Sequence, residues 1–207
     1  MRVRDLHIHA IAVPRIYNTR VAPTGGPPGG KDISQYYILE FETEAGLTGL
    51  GEVSDLEDAW GAPAPAVLRQ TLLAPLVDID LRQRRPAWDR VDDALPTDYH
   101  PEFRRLITAA VDVGLLDLNA KHHHAPAHAL LGGGCRDALP VSWVAYIRGV
   151  AELEEEIAEK VDAGFSAFKL KVGADFALDC ERIRVCRRLA GPDAYIKADA
   201  SGAWEEE

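Results

Sequence analysis

The sequence predicts an α+β unit followed by a run of parallel strands alternating with helices. Two observations carry this. Alternating strand patterns cluster before residue 54 and helical stripes follow them, which is the order of an α+β unit. From Pro140 onward the pattern changes to strand, helix, strand, helix, strand, the signature of parallel strands with helical crossovers.

The first strand is read over Val3–Ile11, where apolar and polar residues alternate and His7 and His9 fall on the polar side. Residues 14–32 then carry Pro23, Gly25, Gly26, Pro27, Pro28, Gly29 and Gly30, a composition that holds neither a helix nor a central strand. A long loop is expected there, and loops of this kind in compact domains are commonly lids or binding loops. Two further strands, Tyr36–Thr43 and Leu47–Val53, are joined by the Gly-bearing turn Glu44–Ala45–Gly46 and complete a meander. Helices are read from Pro65 to Leu76 and from Pro101 to His123. In the second, Phe103, Leu106, Ile107, Ala110, Val111, Gly114, Leu115 and Leu118 form a stripe that faces a core. The histidines at 122–124 and 128 invite a metal reading. Their spacing opposes it, because neighbours on a helix point about 100° apart and Pro126 breaks the i, i+4 relation of His124 and His128, so a solvated helix end is expected.

In the second half, a strand is read over Pro140–Ile147, and a helix over Glu152–Val161 with Leu153, Ile157 and Val161 at i, i+4, i+8 and its glutamates on a solvated face. The next strand, Phe168–Val172, places Phe168, Leu170 and Val172 on one face and Lys169 and Lys171 on the other. Both faces of such a sheet are expected to be covered, so two inward ammonium groups are costly unless they act at the strand's C-terminal mouth. A helix over Phe176–Leu189 leads to Tyr195–Asp199, whose parity gathers Tyr195, Lys197 and Asp199 on one face, with the carboxylate last. The lysines and the aspartate can therefore converge at one rim.

The pair Lys169–Leu170–Lys171, the later run Asp199–Ala200–Ser201–Gly202–Ala203–Trp204, and the upstream segments Gly46–Glu52 and Leu130–Gly133 occur in an order that resembles the mandelate racemase/muconate lactonizing enzyme group of the enolase superfamily. The resemblance implies an α+β capping domain over residues 1–135, with a substrate-specificity loop at 14–32. It implies the first part of a (β/α)8 TIM-type barrel, three parallel strands and incomplete, over 136–207. It also implies Mg²⁺-dependent removal of the α-proton of a small carboxylate substrate, as in acid-sugar dehydratases, racemases or epimerases, and cycloisomerases. Under it, Lys171 is the base, Lys169 assists it or binds the substrate carboxylate, and Asp199 is a metal ligand. Tyr17, Asn18 and Arg20 of the loop, and Ser201, are substrate-binding candidates. The family pattern has Asn where Ser201 stands, and its remaining acidic ligands and opposite-face base lie on later strands. A lysine base must be neutral near pH 7, well below its ordinary pKa of about 10.4, and a neighbouring cation and desolvation both push it that way.

A net charge of −10 argues against an electrostatic nucleic-acid or membrane surface. Neither a signal peptide nor a span of about 20 apolar residues is read, so a soluble, cytoplasmic protein is expected. The three cysteines, Cys135, Cys180 and Cys186, make no paired framework and are expected as reduced thiols. A complete (β/α)8 barrel typically takes about 250 residues, so the 207 residues are expected to be incomplete and inactive alone, and the resemblance implies a homo-oligomeric full-length form. The reading from another class is a catalytically silent fragment that serves only for association.

Overall fold

The computed structural model describes residues 1–16 and 31–204. It falls into two compact units, one built from residues 1–14 and 33–135, the other taking in the chain from Arg136 onward.

The first unit opens with an antiparallel sheet of β1 (Val3–Pro14), β2 (Ile33–Thr43) and β3 (Thr48–Val53), in that spatial order. β1 runs past Ile11 to Pro14, which pairs with Ile33, so the loop expected from residue 14 starts later. Proline is tolerated there because β1 is an edge strand and one side of it needs no N–H. The β2–β3 turn is closed by Thr43, whose Oγ1 accepts from the Leu47 N–H at 3.0 Å, and by Gly46 at φ 77°. Tyr37, Leu39, Phe41 and Val53 point to the buried face at the period of two that a strand imposes.

That face is covered by α3 (Pro101–His122). Pro101 suits the first turn, and the His100 ring accepts from the Glu102 N–H at 3.2 Å. Its expected stripe is buried, with Leu106 only partly so. β3 meets this helix through Gly49 and Gly51, which lets two backbones approach where side chains would keep them apart. A Cβ on Gly51 would collide with the Ala110 carbonyl, 2.8 Å from its carbon and nearer to its oxygen, and one on Gly49 would lie 2.5 Å from the Gly114 oxygen. α1 (Pro65–Leu73) continues into a 3₁₀ turn at Ala74–Leu76 and buries Leu68, Leu72 and Leu76 at i, i+4, i+8.

A helix absent from the sequence reading, α2 (Arg84–Ala94), lies between them. Ala87 and Val91 carry its short apolar stripe, with Leu95 just beyond, and the surrounding charges mask that signal. A four-residue helix, α4 (Ala127–Leu130), follows the histidine tract.

The second unit runs β4 (Trp143–Ala145), α5 (Val150–Asp162), β5 (Ala167–Lys171), α6 (Phe176–Ala190) and β6 (Tyr195–Asp199). Its strands are parallel in the order β4-β5-β6. β4 is shorter than the expected Pro140–Ile147: Pro140 has no N–H for a ladder, and the exposed Val141 finds no partner among the described residues of the sheet. Phe168, Leu170 and Val172 of the β5 segment pack with Leu153, Ile157 and Cys186 into one core. Each such buried Leu, Ile or Phe contributes about 1.5–3 kcal/mol. The opposite face differs from the expectation of cover on both sides, because Tyr195 is 66% exposed and Lys197 is exposed too.

The glutamates of α5 are also not uniformly solvated. Glu156 is buried, accepts from the Trp143 indole N–H at 2.9 Å, and has the Arg148 guanidinium 3.5 Å from its other oxygen. It lies one helical turn from Leu153 and beside Ile157, so the apolar stripe carries it inward.

Candidate active site

Local geometry in the second unit starts from the parallel register, which sets Lys169 beside Lys197 and Lys171 beside Asp199. Parallel partners share a face, so Lys169, Lys171, Lys197 and Asp199 lie on the side of the sheet away from the core, at the C-terminal end of the strands. In a parallel β/α arrangement this is the end where chemistry is placed. Asp199 is the meeting point. Its Oδ2 is 2.6 Å from Lys169 Nζ and 2.8 Å from Lys171 Nζ. Its Oδ1 accepts from the Ser201 N–H at 2.9 Å, and Lys171 Nζ also donates to Ser201 Oγ at 3.0 Å. The Asp199 main-chain carbonyl accepts from Val172 N–H at 3.0 Å, tying the two strand ends together.

The Lys169 ammonium, then that of Lys171, then the Ser201 N–H hold the Asp199 carboxyl well below the usual carboxylate range, against a partial desolvation that pushes the other way. Ser201 sits at φ 50°, a left-handed conformation uncommon for serine, which turns its hydroxyl back toward Lys171. Lys197 does not join the cluster; its ammonium lies 5.8 Å from the centre of the Tyr195 ring. Thus Lys169, Lys171, Asp199 and Ser201 are brought together. Tyr17, Asn18 and Arg20 lie outside the described residues.

Beneath this rim is a pair that sequence reasoning missed, Arg182 and Asp179 of α6, both buried. Arg182 donates from Nη1 to the Lys171 carbonyl and from Nη2 to the Tyr146 carbonyl, each at 2.7 Å. Asp179 accepts from the Gly173 N–H at 2.6 Å. The signal lay in spacing: counting back from the buried Cys186 by four and then three residues reaches Arg182 and Asp179, so the inward stripe of α6 continues onto charged residues.

Asp199 offers the hard carboxylate oxygen that Mg²⁺ prefers. It suits one ligand position and makes no complete site, since among the described residues no group of three or more His, Cys, Asp or Glu side chains is placed to hold a metal ion.

Comparison with known proteins agrees with this layout. Residues 16–132 match the mandelate racemase/muconate lactonizing enzyme N-terminal domain, and residues 152–207 match the enolase C-terminal domain-like family. Among similar proteins, the N-succinyl-L-Arg/Lys racemase of Bacillus cereus is 27% identical over 99% of this chain and 53% of its own length. A chloromuconate cycloisomerase of Cupriavidus pinatubonensis is 30% identical over 82% of this chain and 46% of its own. The solved dipeptide epimerase of Cytophaga hutchinsonii, complexed with Mg and the dipeptide D-Ala-L-Val, superposes with a TM-score of 0.85 over 99% of this chain and 53% of that one. At 23% identity that likeness speaks for the fold. The chain spans about half the length of these relatives. With a capping domain of antiparallel sheet and helices, three parallel strands of a barrel, and matches along both halves, the chain belongs to the mandelate racemase/muconate lactonizing enzyme group of the enolase superfamily.

Proposed function

We propose that the protein to which this chain belongs removes the α-proton of a small carboxylate, with Lys171 as the base, as a racemase or epimerase of N-acylated amino acids or dipeptides. The observation that carries this reading is the convergence of Lys169 and Lys171 on Asp199 at the strand ends. Names among the relatives, an N-succinyl-amino-acid racemase and dipeptide epimerases, favour this substrate class.

In the proposed step the C–H bond breaks, its electron pair spreads over the adjacent carboxylate, and the proton passes to Lys171 Nζ. Ser201 Oγ, 3.0 Å away, orients that nitrogen. Lys169, on the same face, keeps a cation at the strand ends that attracts the substrate carboxylate. Asp199 would hold Mg²⁺, with the other ligands supplied from outside the described residues, and the ion when bound supplies positive charge to offset that gathering on the substrate's oxygens. Tyr17, Asn18 and Arg20 are proposed to contact the substrate's variable end.

The test is solvent exchange by the whole polypeptide in D₂O with Mg²⁺ and, separately, each enantiomer of N-succinyl-lysine, followed by NMR of the α-proton. Lys171→Ala is expected to abolish exchange of the enantiomer whose α-proton faces Lys171, and Asp199→Asn chiefly to raise the Mg²⁺ concentration needed. Full exchange of both enantiomers by Lys171→Ala removes the base assignment.

A further inference from the structure

We propose that Arg182 is a positioning residue for Lys171: its guanidinium, buried under the sheet, bridges the carbonyls at the ends of β4 and β5 and so fixes the backbone from which the Lys171 side chain reaches Asp199. This rests on the reading of Lys171 as a base, and it makes a structural claim that can be tested apart from activity.

Stability alone is a poor reason for this arginine. Its side chain is 0% exposed and that of its partner Asp179 is 3% exposed, at 3.4 Å. Burial lowers its pKa while Asp179 opposes the fall, as expected for a cation taken out of water at a cost. Apolar residues of similar volume often replace a buried ion pair with no loss of stability. Its Nε has no partner among the described residues, so even the hydrogen bonding is incomplete.

What arginine offers and an apolar residue does not is a rigid planar fork, able to hold two acceptors at once. Here the acceptors are the carbonyls of Tyr146, one residue past β4, and Lys171, the last residue of β5. Both lie just past the last β4–β5 pair, Ala145 with Leu170, so the fork joins the two strands where their own ladder has ended. Asp179 extends the clamp to Gly173, so residues on each side of Val172 are fixed from below while Val172 itself bonds to the Asp199 carbonyl. The Arg148 and Glu156 side chains complete the charged surroundings of the guanidinium, one repelling it and one attracting it. A displacement of about 1 Å in a catalytic group can cost about 100-fold in rate, so a clamp on the backbone of Lys171 acts on chemistry without touching substrate.

The test uses the whole polypeptide labelled with ¹³C at lysine Cε. A side chain held in one place gives two distinct Hε signals, whereas a freely rotating one gives a single averaged signal. In the parent, Lys171 is expected to show two. Lys160, held over the Trp143 ring at 4.3 Å in the same unit, serves as an internal reference. The double variant Arg182→Met/Asp179→Asn removes both charges together, and the amide oxygen that replaces the carboxylate can still accept from the Gly173 N–H. It is expected to merge the Lys171 pair and leave Lys160 unchanged. Asp179→Asn alone keeps the fork and is expected to leave the Lys171 pair split. If the double variant does not fold, Arg182→Lys, which keeps the charge without the fork, is expected to merge the pair.

A Lys171 pair that stays split without the fork overturns the proposal, as does one already averaged in the parent, one merged by Asp179→Asn alone, or a loss shared equally with Lys160. In the whole polypeptide the double variant is expected to lower kcat for α-proton exchange by about 10- to 100-fold with KM within about twofold. Absence of exchange in the unaltered polypeptide counts against the proposed function, while the lysine signals still decide the role of Arg182.

Discussion

Ser201 shows how one residue can trade backbone comfort for position. At φ 50° it adopts a conformation that asparagine and glycine enter more readily. Ser201→Asn is therefore expected to keep stability within about 0.5 kcal/mol, and Ser201→Val, with a branched Cβ in the same conformation, to lose about 2 kcal/mol; urea unfolding followed by tryptophan fluorescence checks both. Cys186 makes a second claim at this scale. Burial pushes its thiol up to about 11, and it is 0% exposed. Because the folded state holds this proton more tightly than the unfolded state, the associated stability is complete below the ordinary thiol value and is lost as pH rises toward 11. The parent is expected to lose on the order of 2 kcal/mol across that window and Cys186→Ala to lack that slope, as read from urea midpoints at about pH 8, 9 and 10. Cys135, which is exposed, is expected to react with a thiol reagent at about pH 8 while Cys186 does not.

Among the elements, the contact of β3 on α3 is the most constrained. Gly51→Ala places a methyl group into the Ala110 carbonyl, which cannot move without distorting the helix. A loss of about 3 kcal/mol in the first unit is expected from this overpacking, and a loss below about 0.5 kcal/mol in chemical denaturation would show that the two backbones separate easily. In the second unit, Glu156 joins α5 to the segment around β4 through Trp143 and Arg148. Glu156→Ala removes the acceptor of the part-buried Trp143 indole N–H and a counter-charge of Arg148, so a loss of about 2 kcal/mol is expected, with a parallel change in Trp143 fluorescence.

At the scale of the molecule, the three-stranded parallel sheet has β4 and β6 each paired on one side only among the described residues. Tyr195 and Val141 are exposed nearby, at 66% and 69%. Unpaired strand edges with apolar neighbours recruit other strands, so the 207-residue polypeptide, purified by itself, is expected to scatter light as an assembly larger than one chain. A clean monomer at tens of micromolar would show that these edges are protected. No helix among the described residues is long and apolar enough to cross a membrane.

Period and spacing in the sequence determined most of the element pattern. The two-residue alternation at Phe168–Val172 and Tyr195–Asp199 was enough to sort lysines and aspartate onto a face apart from Leu170, because strand geometry leaves only two sides. The stripe of α3 was legible for the same local reason. α2 was not, since its apolar signal is only about one residue per turn amid charges. Register, burial and backbone approach were decided by tertiary structure. No local rule says that Lys171 rather than Lys197 reaches Asp199 Oδ2, that Glu156 turns inward among solvated glutamates, or that Arg182 lies at zero exposure while Phe176 on the same helix is 75% exposed. Those outcomes depend on which partner each side chain meets across the fold, and a buried charge is tolerated only where distant carbonyls and carboxylates are brought to it.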